Sequence, residues 1–132
     1  MQSIQLSQSK VRTARTHREL VAWQVSMQLV AEVYRLAAVL PAVERYGIAT
    51  QVRRAALSIP LNIAEGFGRK TRRELARFLA IAEGSLREVQ TLFELMVLIG
   101  YFPETEVATA TNTADRVGFL LHRLRQSLRV SP

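Results

Sequence analysis

The sequence contains no cysteine. Disulfides, thiolate nucleophiles and cysteine-ligated metal sites are therefore excluded. Histidine is almost as scarce: His17 and His122 stand far apart, and no cluster of acids accompanies either, so no metal ligand set is apparent. Long apolar runs are also missing. The longest, Leu95 to Gly100, falls well short of the roughly 20 residues needed to cross a bilayer. The first ten residues, MQSIQLSQSK, lack the apolar centre of a signal peptide. A soluble, cytoplasmic protein is expected. Lysine is nearly absent too, with two against sixteen arginines.

What remains is rich in alanine and leucine, 48% hydrophobic, with few β-branched runs. At 132 residues this suits one all-α domain with a modest core. The formal net charge is +7. Guanidinium groups fork phosphates and carboxylates and stack on bases, so the charge raises the expectation of a nucleic-acid partner. A GC-rich coding bias also produces arginine-rich chains, and composition does not choose between the two.

Residues 1–16 are polar and aperiodic, which reads as a flexible arm. Lys10, Arg12, Arg15 and Arg18 would let it lie on an anionic partner, or it is a tail without a specific role. Residues 17–130 read as the folded unit. Thr16-His17-Arg18-Glu19 has the capping-box pattern, and Leu20, Trp23, Met27, Val30, Tyr34 and Ala37 follow at spacings of three and four, a bundle-type core stripe. Pro41 ends this first helix and Gly47 marks the turn into the second.

The second helix, from about Ile48 to Glu65, is apolar on two sides. Ile48, Val52, Ala55, Ile59 and Ile63 share one face; Leu57, Leu61 and Ala64 lie nearly opposite. Such a helix needs covering twice, once by its own bundle and once by another copy. Pro60 should bend its axis. Gln51, Arg54, Ser58, Asn62 and Glu65 form a polar stripe between the two faces. A catalytic array there would lack a histidine and a second acid, so a buried hydrogen-bond network fixing helix register is the better reading.

Gly66-Phe67-Gly68 lacks the spacing of a phosphate-binding loop and no strand precedes it, so a left-handed helix stop is expected. Thr71-Arg72-Arg73-Glu74 is a second capping box opening the longest helix, to about Ile99. Its core face holds Leu75, Phe78, Leu79, Ala82, Leu86, Val89, Phe93, Met96 and Val97. Ile81, Leu92, Leu95 and Ile99 form a second apolar strip. Gly84-Ser85 in mid-helix implies a close helix crossing. Gly100 closes the helix, and Pro103 with Glu104 and Glu106 opens a fourth, whose stripe runs Val107, Ala110, Ala114, Val117, Leu121, Leu124, Leu128. Four amphipathic helices with short links predict an antiparallel four-helix bundle.

Arg69, Lys70, Arg72, Arg73 and Arg77 place five positive charges within nine residues at a helix start, the end that favours anions, with Arg53 on the preceding helix. An external phosphate would resolve that conflict, making these six the candidate nucleic-acid contacts. A solvated face partnered by Glu65 and Glu74 is the alternative. No aromatic residues interleave, so base stacking is not supported. Leu57, Leu61, Ala64, Ile81, Leu92 and Leu95 are the candidate oligomer interface. Arg116 and His122 have the spacing of a pair found in some all-α ribonucleases, a remote enzymatic alternative.

Several segments resemble a known family. Tyr46-Gly47-Ile48, Gln51-Val52-Arg53-Arg54-Ala55, Ser58-Ile59-Pro60, Asn62-Ile63-Ala64-Glu65-Gly66 and Gly68-Arg69 resemble the signature of four-helix-bundle proteins encoded in intervening sequences of bacterial 23S ribosomal RNA genes. Arg77-Phe78-Leu79, Ile81-Ala82, Gly84-Ser85-Leu86 and Glu88 resemble its second motif, and Leu20 and Trp23-Gln24 its opening. Leu61 departs from the small polar residue common there. The resemblance implies a homo-oligomeric ring, a homopentamer, without enzymatic activity or cofactor. The chain is also similar to the accessory protein of diversity-generating retroelements, which implies RNA or DNA as partner and possible contact with a reverse transcriptase. A protein-interaction module is the alternative to nucleic-acid binding.

Overall fold

The computed structural model describes residues 13–128. Lys10, Arg12 and Arg129 lie outside them, as does most of the expected arm. Among the described residues there are four long helices and no strand: α1 (Val21–Ala38), α2 (Ile48–Phe67), α3 (Arg72–Ile99) and α4 (Glu104–Ser127). Two 3₁₀ turns, His17–Glu19 and Ala42–Glu44, precede α1 and α2. Contacts run α1 to α2, α2 to α3, α3 to α4 and α4 back to α1, so each helix has two principal neighbours around one core. That pattern is a four-helix bundle.

The helices begin and end where local chemistry requires it. Thr71 adopts an extended N-cap conformation and its hydroxyl accepts from the Glu74 amide at 3.1 Å. Gly100 takes φ +96°, a conformation that only glycine adopts cheaply, and closes α3. Pro103 is the N-cap of α4, leaving Glu104 and Glu106 against the positive helix end. The capping box at Thr16 behaves differently from expectation. Glu19 accepts from the Arg15 and Thr16 amides, but the box caps only the 3₁₀ turn. Leu20 then goes extended, and α1 starts at Val21.

Val52, Ala55, Ile59 and Ile63 of α2 are buried, as are seven of the nine expected core positions of α3 and the whole expected stripe of α4. Each large aliphatic chain buried this way contributes about 1.5–3 kcal/mol. The helix runs through the buried Pro60 without interruption. In α1 the expected stripe is off by part of a turn. Leu20 and Ala37 are buried, but Met27 and Tyr34 are exposed and Trp23 and Val30 only partly covered. The core side holds Ala22, Val25, Ser26, Leu29 and Val33 instead.

Two glycine expectations are also corrected. The helix stop after Glu65 is not left-handed: α2 continues to Phe67 and Gly68 has φ −78°. Gly66 matters for another reason. A Cβ there would lie 2.6 Å from the Phe78 Cβ, so α2 and α3 make their close approach at this point. At Gly84, where the close crossing was expected, a Cβ would meet nothing within 4 Å.

Candidate nucleic-acid interface

The α2–α3 junction is a four-residue link, Gly68-Arg69-Lys70-Thr71, held short by the contact at Gly66 and the cap at Thr71. It projects Arg69, Lys70, Arg72 and Arg73 into solvent. Phe78, buried one and a half turns into α3, organises two of the cations around it. The guanidinium carbons of Arg69 and Arg77 lie 5.0 and 4.7 Å from its ring centroid. Cation–π attraction at such exposed sites is worth about 0.5–1 kcal/mol each and restricts both long side chains.

Their carboxylate partners are weak. Arg69 meets Glu65 at 3.5 Å and Arg77 meets Glu74 at 3.3 Å, with all four side chains 45–61% exposed. Water and salt screen such pairs, so a phosphate can compete for these guanidiniums. Lys70, Arg72 and Arg73 form no ion pair among the described residues. Arg72 and Arg73 also stand in the first turn of α3, where the helix dipole adds positive potential.

The C-terminal part of α4 adds to this end of the molecule. Arg125 donates to both oxygens of Glu83 on α3, at 2.8 and 3.1 Å, with the Glu83 side chain only 10% exposed. Beside it a cleft of about 180 Å³ is lined by Ala76, His122, Arg125, Gln126 and Leu128. Arg123 is half-buried, with its Nε shielded and without a partner among the described residues. Arg125 thus stands across this cleft from Ala76, the chain neighbour of Arg77 in the junction cluster, and the ion-pair partners in this region are Glu65, Glu74 and Glu83.

Arg53 does not join them. It precedes Arg69 by sixteen residues, about 24 Å along a helix, and lies over the Tyr34 ring at 5.9 Å. A wider groove of about 960 Å³ between α3 and α4 is rimmed by Glu94, Glu104 and Asp115 with a single arginine, Arg87. Its acidic rim disfavours polyanions.

The polar stripe of α2 is brought together only in its middle. Asn62 donates to the Ser58 carbonyl and hydroxyl at 2.8 and 2.9 Å, and Ser58 shares a 2.8 Å hydrogen bond with Ser85 on α3. Gln51 and Arg54 are exposed, and Glu65 pairs with Arg69 instead. Of the candidate interface, Leu57, Leu61, Ile81 and Leu95 are 37–64% exposed, and Ala64 and Leu92 are partly covered. Arg116 does not line the cleft that holds His122, so the structure does not join that pair in one pocket. Among the described residues no group of histidines and carboxylates can hold a metal ion, and no helix is long and apolar enough to cross a membrane.

Sequence reading missed Phe78 as a platform, Ser85 as the cross-helix partner and the Glu83–Arg125 pair. The only advance signals were arginines flanking an aromatic by one and nine positions and a serine beside an unexplained glycine. At the other end of the bundle, Glu44 accepts from the Ile48 amide at 3.0 Å and from the Tyr101 hydroxyl at 2.6 Å. The amide bond first, then the phenol, holds the Glu44 carboxyl below its usual pKa. The same bond raises that of Tyr101.

No curated protein matches the chain. Among solved structures it is similar to a protein of unknown function from the S23 ribosomal protein family of Bacteroides thetaiotaomicron. The two are 22% identical over 76% of this chain and 94% of that one, with a TM-score of 0.72, which establishes a shared fold. The 23S rRNA-intervening sequence protein model matches residues 18–123, and the chain belongs to that family.

Proposed function

We propose that the protein is a non-enzymatic, self-assembling antiparallel bundle whose basic end binds RNA or DNA through the phosphate backbone. One observation carries the reading: the cations of the α2–α3 junction crowd one short, exposed segment, and their only ion pairs among the described residues are two weak, exposed ones. Arg69 and Arg77, held on Phe78, and the exposed Lys70, Arg72 and Arg73 supply the phosphate contacts. Arg53 stands apart from this surface. With no exposed aromatic platform at the junction, recognition is of backbone charge and not of base identity.

Self-assembly is supported by the half-exposed apolar side chains of α2 and α3, which a single copy leaves uncovered. A closed ring, five copies by resemblance to the family, would cover them and repeat the basic end around one rim. Binding of single-stranded RNA, followed by fluorescence anisotropy across a salt series, tests the nucleic-acid reading. Affinity should fall steeply with salt. The Arg69, Arg72, Arg73→Ala variant should bind more weakly, with a slope smaller by about 2 (some 0.7 per lost contact on a single strand). Absence of binding at low salt would end this reading.

A further inference from the structure

Gly84 and Glu88 have no use within one copy. Gly84 lies deep in α3, where glycine is unfavourable relative to alanine, yet its missing Cβ makes room for nothing among the described residues. Gly66 shows the contrast, because there a neighbouring helix fills the space. One turn after Gly84, Glu88 is exposed and forms no ion pair among the described residues. Ile81, 42% exposed, borders the notch.

A complementary face lies on the other flank of α2. Ser58 marks the α3 flank through its bond to Ser85, whereas Arg53 marks the α1 flank by lying over Tyr34. Arg53 has no carboxylate partner among the described residues. Tyr34 and, on the same strip of α1, Met27 are 43% and 45% exposed. One face is therefore a bulky apolar ridge carrying an unpaired cation. The other is a side-chain-free notch carrying an unpaired anion.

We infer that these faces bind each other between copies of the chain, the Tyr34–Arg53 ridge of one copy seating at Gly84 of the next, with Arg53 paired to Glu88. The inference rests on the self-assembly reading above and specifies which surfaces meet. Because the two faces flank α2 on different sides, the contact is head-to-tail and repeats until the assembly closes. Each copy uses both faces once, and the cost of a mid-helix glycine is offset by the close approach it permits.

Sedimentation equilibrium at micromolar concentration, with helix content followed by circular dichroism, tests this. Wild type should have a mass several times 14.9 kDa. Gly84→Leu, which finds open space in a single copy, should keep full helicity while its mass falls to 14.9 kDa. Arg53→Glu and Glu88→Arg should each lower the mass, and the double variant should restore it. Retention of the wild-type mass by Gly84→Leu, or a double variant no better than its parents, overturns this pairing and leaves assembly standing. A wild-type mass of 14.9 kDa overturns assembly itself.

Discussion

The Glu83–Arg125 pair gives a stability prediction whose size follows from burial. Glu83 is 10% exposed and accepts two charge-assisted hydrogen bonds from one guanidinium, while Arg125 is 42% exposed. Removing one partner of a fully buried pair costs about 3–5 kcal/mol because the other charge is stranded. Here solvent reaches the arginine side, which lowers the expected cost of Arg125→Met to about 2–3 kcal/mol. For a domain of this size that lowers the thermal midpoint by roughly 10 °C. Replacing both residues, Glu83→Leu with Arg125→Met, strands nothing and should cost only about 0–1 kcal/mol. Urea unfolding of Arg125→Met, Glu83→Leu and the double variant at one fixed protein concentration completes the cycle. A coupling of about 2 kcal/mol is expected. If the double variant is as unstable as Arg125→Met alone, the stranded carboxylate is not the origin of the loss.

At the other crossing, Gly66→Ala gains helix propensity but drives a methyl against the Phe78 Cβ, for a net loss of about 1–2 kcal/mol by thermal melting; unchanged stability would show that the helices separate freely there. Glu44 has its pKa lowered in the folded state, so its contribution is present above the ordinary carboxylate pKa and disappears as pH falls through the lower folded value. Glu44→Gln should therefore lose less stability than wild type on acidification, a difference measured by urea midpoints from neutral to acid pH. Tyr101, with its pKa raised, acts at the alkaline end: its contribution is present below the ordinary tyrosine pKa and lost as pH rises through the folded value. Tyr101→Phe should accordingly show a shallower alkaline loss in the same assay.

Periodicity made α2, α3 and α4 legible because the residues of their main apolar stripes are mostly buried, and because Thr71 and Gly100 are local signals with local effects. It failed on α1. There Trp23, Met27 and Tyr34 carry the hydrophobic weight in the sequence, while Ala22 and Ser26 take the interior. Spacing alone does not distinguish a flank from a core when Ala22 and Ser26 share the core side with Val25, Leu29 and Val33 and the flank carries the bulkier residues. The basic cluster at 69–77 was visible as a charge run. Its organisation around Phe78 was not, since it depends on the short link after α2 bringing Arg69 back to a ring on α3. Ser58 with Ser85 and Glu83 with Arg125 join positions 27 and 42 residues apart, which only the packing of α3 against α2 and α4 brings together. Gly66, at the end of α2, and Gly84, deep in α3, have opposite surroundings to those their sequence positions suggested.

Hydrogen–deuterium exchange with and without a short single-stranded RNA tests the placement of the interface most directly. Protection is predicted over residues 68–78, with a smaller effect at the C-terminal turns of α4. Protection confined to the acidic groove between α3 and α4, with the α2–α3 junction unchanged, would contradict it.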